Sequence, residues 1–378
     1  MEPSTESVIA SIFPAPLPLV ISNFKLKIMK NIIIVKLVIL CSIVLTLTSC
    51  GKVIDKLHNF NGLGTWTNKA PIPVGMAEVG VAALDGKVYA VGGTEQKGQD
   101  APNYASTLNM MYDPATNAWQ ERAPLPYGLS HVGVAALDGK LYAIGGFTSP
   151  VHMGAQDLAF IYDPKKDKWS ALPKISSTRG SVAVIAVGGK IHIFGGRNPV
   201  KVTKISAPGT PDLFAGYGTV TTHEIYDPGT GKWSQGVPLP GPARDHVGIA
   251  VLDGKVHLFG GRVADFTDNL DRHDVYDPKT DNWTVAAPLP VARSAGAYTV
   301  LNNLIIYAGG ECTPGGVPFN DVTAYDSKTD SWTKLAPLPQ ARHAFGAATL
   351  KEVAYFIGGA PVCGGGTLTD LLALTLIR

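Results

Sequence analysis

Short apolar runs, broken at regular intervals by glycine and proline, set the pattern of this chain. Val88-Tyr89-Ala90-Val91 and Lys140-Leu141-Tyr142-Ala143-Ile144 are rich in β-branched and aromatic residues and each stops at Gly-Gly. Runs this short, lacking apolar positions spaced three and four apart, read as strands packed between neighbours rather than as helices. Asp-Gly pairs at 85–86, 138–139 and 253–254 lie just before such runs. They predict tight hairpins, because a type I′ turn requires positive φ at both central residues.

The unit repeats. Gly-Gly recurs at 92–93, 145–146, 195–196, 260–261, 309–310 and 358–359, and Trp at 66, 119, 169, 233, 283 and 332, with Trp spacings of 53, 50, 64, 50 and 49. Between them stands Tyr-Asp-Pro, as at Tyr112, Tyr162, Tyr226 and Tyr276, with Tyr325-Asp326-Ser327 as a departure, and Pro-Leu-Pro or a near variant closes most units. A period near 50 residues with these motifs in fixed order resembles the Kelch repeat family. The resemblance implies an all-β, six-bladed β-propeller, four antiparallel strands to a blade, over 63–378. The repeated Tyr, Trp and Gly-Gly then belong to the core. No Trp follows Gly358-Gly359, and no Gly-Gly precedes Trp66. An N-terminal strand is therefore expected to complete the last blade and remove the free edges.

Ahead of the repeats, the apolar stretch Ile32 to Leu47 follows Lys30 and ends in Leu47-Thr48-Ser49-Cys50-Gly51. It is too short for the ~20 residues that span a bilayer as a helix, and small residues before a Cys resemble a bacterial lipoprotein signal. The expected organisation is an upstream extension at 1–28, a signal peptide at 29–50 starting from Met29, a tether at 51–62, and the propeller. Export, with a lipid on Cys50, places the protein in the cell envelope. Lys52 resembles an outer-membrane sorting pattern if the host is Gram-negative. Only Cys312 and Cys363 then remain in the exported part, and an oxidising compartment favours their pairing.

Charge and chemistry narrow the function. The net charge is +2, and the first 49 residues hold four Lys against two Glu, so the repeats are balanced. That argues against nucleic acid, whose phosphates need a basic face. In the segments leading into the blades, Met76, Leu129, Arg179, Arg244, Arg293 and Arg342 fall at one equivalent position, and Arg197 and Arg262 directly follow Gly-Gly. If this Arg set faces a central mouth, it suits a carboxylate, sulfate or acidic peptide; the alternative is that these arginines bond loop carbonyls. His343 lies beside them, and Glu78, His131 and His246 are candidates for proton transfer. His192 and His257 alternate within strands and read as packing. The long segment Asn198 to Thr221, with Phe214 and Tyr217, is a candidate pocket wall.

No His-Glu-x-x-His or paired-Cys spacing occurs, so no metal and no cofactor are expected. Copper oxidation of the galactose-oxidase type needs a Tyr–Cys cofactor and is disfavoured. A ubiquitin-ligase adaptor is disfavoured by the export signal. The leading expectation is a non-enzymatic module binding an anionic glycan, an acidic small molecule or a protein partner. The alternative, by resemblance to exported Kelch propellers, is a sialic-acid mutarotase.

Overall fold

A five-residue run ending in two glycines can pair on both edges only if the chain turns back at once. Lys87–Val91 pairs with Gly80–Leu84 through the turn at Asp85-Gly86, and on its other edge with Asn109–Asp113, which folds back into Ala118–Glu121. The computed structural model describes residues 64–96, 104–149, 152–198, 202–205, 213–216, 218–263, 268–313 and 315–376. Among them are six such four-stranded antiparallel sheets. The expected upstream extension, signal peptide, tether and Cys50 lie outside the described residues.

The innermost strands are Gly80–Leu84, Gly133–Leu137, Ala183–Val187, Gly248–Leu252, Ala297–Leu301 and Gly346–Leu350, and each lies beside the next round a closed ring. The molecule is a six-bladed propeller, and the sheets are numbered here as blades 1 to 6 in the order of those strands. As expected, Thr65–Asn68 supplies the outer strand of blade 6, pairing Trp66 with Leu374.

Two devices hold blade to blade. The first is the double glycine. A Cβ on Gly92 would stand 2.5 Å from the Leu129 carbonyl oxygen of the next blade, and the following Gly93 donates its N–H to that same oxygen at 2.8 Å. The contact recurs round the ring and closes with Gly359 donating to Met76 at 2.8 Å. Both glycines have positive φ, which other residues adopt only with strain.

The second device is the outer strand. Trp119 donates to the Ala70 carbonyl at 2.8 Å, while Asn117, two residues earlier, accepts from the Ala70 N–H at 3.0 Å. Trp169 with Asp167 grips Ala123 likewise, and Trp332 with Asp330 grips Ala287. Blade 3 departs from the pattern for a reason. Trp233 bonds the carbonyl of Pro173, which has no N–H to give, and Gly231 stands where the acceptor side chain would be. The enlarged loop of blade 3 contains a small hairpin, Val202–Ile205 with Leu213–Gly216; Tyr217 lies outside the described residues, and so does the proposed pocket wall as a side-chain surface.

Candidate functional site

Just before each innermost strand one residue takes the left-handed conformation. These are Glu78, His131, Ser181, His246, Ala295 and Ala344, with φ between 50 and 58°. Their amides bond round the axis: His131 donates to Glu78 at 3.0 Å, Ser181 to His131 at 3.1 Å, Ala295 to His246 at 3.1 Å, Ala344 to Ala295 at 2.8 Å and Glu78 to Ala344 at 2.6 Å. The six side chains line a compartment of about 100 Å³ at one end of the axial channel. Its wall is polar in blades 1 to 4 and apolar in blades 5 and 6. Beyond it the channel widens to about 400 Å³ between the innermost strands, where Val81, Ala136, Val251 and Val300 line it and, among the described residues, no carboxylate, imidazole or cation does.

The arginine arc is corrected by this geometry. Arg179, Arg244, Arg293 and Arg342 are at most 1% exposed and turn into their own blades rather than toward the mouth. Arg179 bonds Glu224; Arg244 donates to Asp274 at 2.5 Å, and Arg342 to Asp370 at 2.7 Å. Arg293 donates to Thr323 at 2.6 Å and to the Asp321 carbonyl at 2.8 Å, and lies over the Tyr307 ring. A guanidinium taken out of water needs an acid or several carbonyls, and each finds them next door. Where blades 1 and 2 have Met76 and Leu129 instead, the facing third-strand residues are the apolar Met110 and Phe160, in the same core clusters. The four arginines therefore brace the blades. Burial also pushes the guanidiniums of Arg179, Arg244 and Arg293 below their ordinary value, against the pull of their partners.

What does gather at the mouth is a network of carboxylates, imidazoles and two guanidiniums. Glu78 meets His131 Nε2 at 3.1 Å. Asp245 accepts from His246 Nδ1 at 2.8 Å and from Arg197 Nε at 2.5 Å. Arg262 bonds Glu311, whose other oxygen lies 3.5 Å from His343 Nε2. His152, from the segment after Gly145-Gly146, brings its Nε2 to 3.5 Å from His246 Nε2 and sets its ring, tilted, 4.5 Å from that of His131. Burial alone would raise the carboxyls of Glu78, Asp245 and Glu311. The facing His131 overrides it at Glu78, His246 with Arg197 at Asp245, and Arg262 at Glu311, so all three are held below the usual range. Burial pushes His246 down despite Asp245, and pushes His152 well down with the help of its histidine neighbours. All three carboxylates are thus charged at neutral pH, and the imidazoles of His152 and His246 are neutral.

The structure therefore brings together Glu78, His131, His246, Arg197, Arg262 and His343 of the sequence candidates, and removes the four arc arginines. It adds Asp245, Glu311 and His152. Glu311 was readable, because it occupies the post-Gly-Gly position of Arg197 and Arg262; His152 carries no repeat signal. His192 and His257 are buried in the sheets, bonded to His223 at 3.0 Å and His273 at 2.9 Å, as their alternation suggested. Cys312 and Cys363 form a disulfide with Cα atoms 5.4 Å apart, tying the post-Gly-Gly segments of blades 5 and 6 on the mouth side.

Comparison with known proteins follows the repeats. A family model described as Kelch motif matches residues 76–126, 128–176, 243–290 and 292–339. Kelch-like protein 35 of Homo sapiens is 40% identical over 53% of this chain and 29% of its own length. Kelch repeat and BTB domain-containing protein 12 of Danio rerio is 33% identical over 22% of this chain and 14% of its own. The chain spans less than a third of the length of these curated relatives. Among solved structures, the protein YjhT superimposes with a TM-score of 0.63 at 19% identity, over 80% of this chain and 95% of that one.

Proposed function

The chain belongs to the Kelch family, and from that premise we propose that it is a ligand-binding module whose site is the carboxylate and histidine mouth of the channel. One observation carries this reading. The acids and bases of the axial region collect at one end, while the roomier inner stretch presents only aliphatic, aromatic and hydroxyl side chains. The charge of Arg197 and Arg262 is already shared with Asp245 and Glu311. Hydrogen bonding rather than net positive field then does the recognising. A wall that is polar over four blades and lined by Ala295 and Ala344 over the other two suits a sugar, which has hydroxylated edges and an apolar face. A compartment of about 100 Å³ takes one end of such a ligand, a carboxylate or hydroxyl group, with the rest across the loops of the same face. We further place the protein in the cell envelope, exported and anchored by a lipid on Cys50; mass spectrometry of the mature N-terminus checks this.

The test is a screen of the full chain in mild detergent against acidic and neutral sugars and acidic peptides, reading melting temperature. A shift with a sugar that disappears in Glu78→Gln, with the unliganded melting temperature retained, supports the mouth. A shift that survives Glu78→Gln and His131→Gln places the ligand elsewhere, and no shift with any small ligand points to a protein partner.

A second reading has its own support. Glu78 with His131, and Asp245 with His246, are carboxylate–imidazole pairs on different sides of the mouth, the arrangement an acid and a base need to open and reclose a cyclic hemiacetal. Mutarotation of sialic acid is that reaction. Anomer exchange followed by NMR, faster than the spontaneous rate and lost in Glu78→Gln, would establish it.

A further inference from the structure

The hydrogen bonds at the mouth fix which nitrogen of two histidines carries the proton. Ser130 Oγ donates to the Ser149 carbonyl at 2.7 Å, so toward His131 Nδ1, 3.0 Å away, it accepts. His131 therefore carries a proton on Nδ1, and its buried Nε2, without a hydrogen bond of good geometry, faces Glu78 Oε1 at 3.1 Å. His246 Nδ1 donates to Asp245, so its Nε2 is an acceptor; Arg262 Nη2 and Ser181 Oγ each lie 3.3 Å from it, and His152 Nε2 lies at 3.5 Å. An imidazole nitrogen facing a carboxylate across a buried gap calls for a cation between or beside them, a proton or a metal ion.

We propose that His131, His152 and His246 bind one divalent transition-metal ion of the zinc type, with Glu78 beside it. Each offers a ring nitrogen, and the three lie within 4.8 Å of one another. Ligand atoms about 2.0–2.1 Å from a tetrahedral ion stand about 3.3 Å apart, so a modest closing of the cluster around an ion satisfies its geometry. The outer partners are of the usual kind: a hydroxyl on His131 Nδ1 and a carboxylate on His246 Nδ1 fix tautomer and ring orientation. Glu78 stands beside the cluster as an anionic neighbour, 3.1 Å from His131 Nε2. Three imidazoles leave a fourth position for Glu78 or for a solvent or ligand oxygen, and N-rich sets of this kind select zinc, copper or nickel over magnesium or calcium.

The metal site shares Glu78, His131 and His246 with the proposed mouth, and metal binding alone tests it, whatever sugar or peptide that mouth takes. Tag-free full-length protein, stripped with chelator, is titrated with Zn²⁺ by calorimetry, and with Co²⁺ by visible absorption. We expect one ion per chain and a tetrahedral Co²⁺ spectrum. His152 lies outside the blade sheets, so His152→Ala keeps its metal-free melting temperature while affinity falls by more than about tenfold; Ser130→Ala, which acts through His131, weakens binding about tenfold. Absence of binding to the stripped protein, or binding unchanged in both His152→Ala and His246→Ala, overturns the proposal and leaves a proton between His131 and Glu78.

Discussion

The reassignment of the arginine arc makes a sharp demand on blade 4. Arg244 and Asp274 are each 0% exposed and meet at 2.5 Å, and Asp274 has Arg272 as a second, partly exposed partner at 2.6 Å. Removing the acid in Asp274→Ala leaves a guanidinium in the core with no counter-ion, at a cost of about 3–5 kcal/mol. For a domain of this size that lowers the melting temperature by roughly 5–10 °C. Removing the base in Arg244→Met is milder, about 2 kcal/mol, because Arg272 still holds the carboxylate. The double variant Arg244→Met with Asp274→Met reproduces the Met76 and Met110 pair that blade 1 uses at this place. It should return to within about 1 kcal/mol of the parent or exceed it, since replacing a buried ion pair by packed apolar groups is often neutral or stabilising. Urea unfolding and calorimetry of the four proteins give the cycle. If Asp274→Ala lies within about 1 kcal/mol of the parent, the pair is not the brace argued here. If Arg244→Met leaves stability unchanged but abolishes ligand binding, the arc is a site after all.

Other consequences follow from the same contacts. Burial holds His192, His223, His257 and His273 at about 4, below their ordinary 6.5, so each is neutral in the fold and takes up its proton more readily when unfolded. Their stabilisation is complete above pH 6.5 and is lost as pH falls toward 4, by up to ~3 kcal/mol each; a melting temperature that is flat over that window contradicts it. Reduction of Cys312–Cys363, which closes a 51-residue span, should lower stability by up to about 4 kcal/mol and loosen the segments after Gly310 and Gly359 before the sheets, as amide exchange under reductant would show. Trp66→Ala removes the indole bond to the Ala336 carbonyl and the packing on Phe356 that seals the ring, costing about 3–5 kcal/mol. Limited proteolysis should then attack blade 6 first.

Much of the fold was legible because its devices are local. Gly-Gly, Tyr-Asp and Trp each perform one contact within the repeat or with the next blade, so their order gives blade number, strand order and the closing strand. The disulfide was legible by elimination. The site was harder, because direction and burial decide it. A series of arginines in register looks like a ring of charge, yet whether they face the axis depends on what lies opposite on the third strand. Glu224, Asp274 and Thr323 against Met110 and Phe160 were in the sequence as a clue, visible only once the strands are paired. The histidine cluster lay beyond reach: His131, His152 and His246 are 21 and 94 residues apart and meet because the ring curves and one segment reaches over the mouth.

The histidines themselves provide the most direct measurement. Four of them, His192, His223, His257 and His273, are locked in sheets, while His131, His152, His246 and His343 surround the mouth. Imidazole ¹H–¹⁵N NMR spectra recorded during titration with a bound sugar or peptide report both sets at once. The account predicts that the mouth set shifts and the sheet set stays in place. Saturable binding that leaves all four mouth resonances unmoved would contradict it.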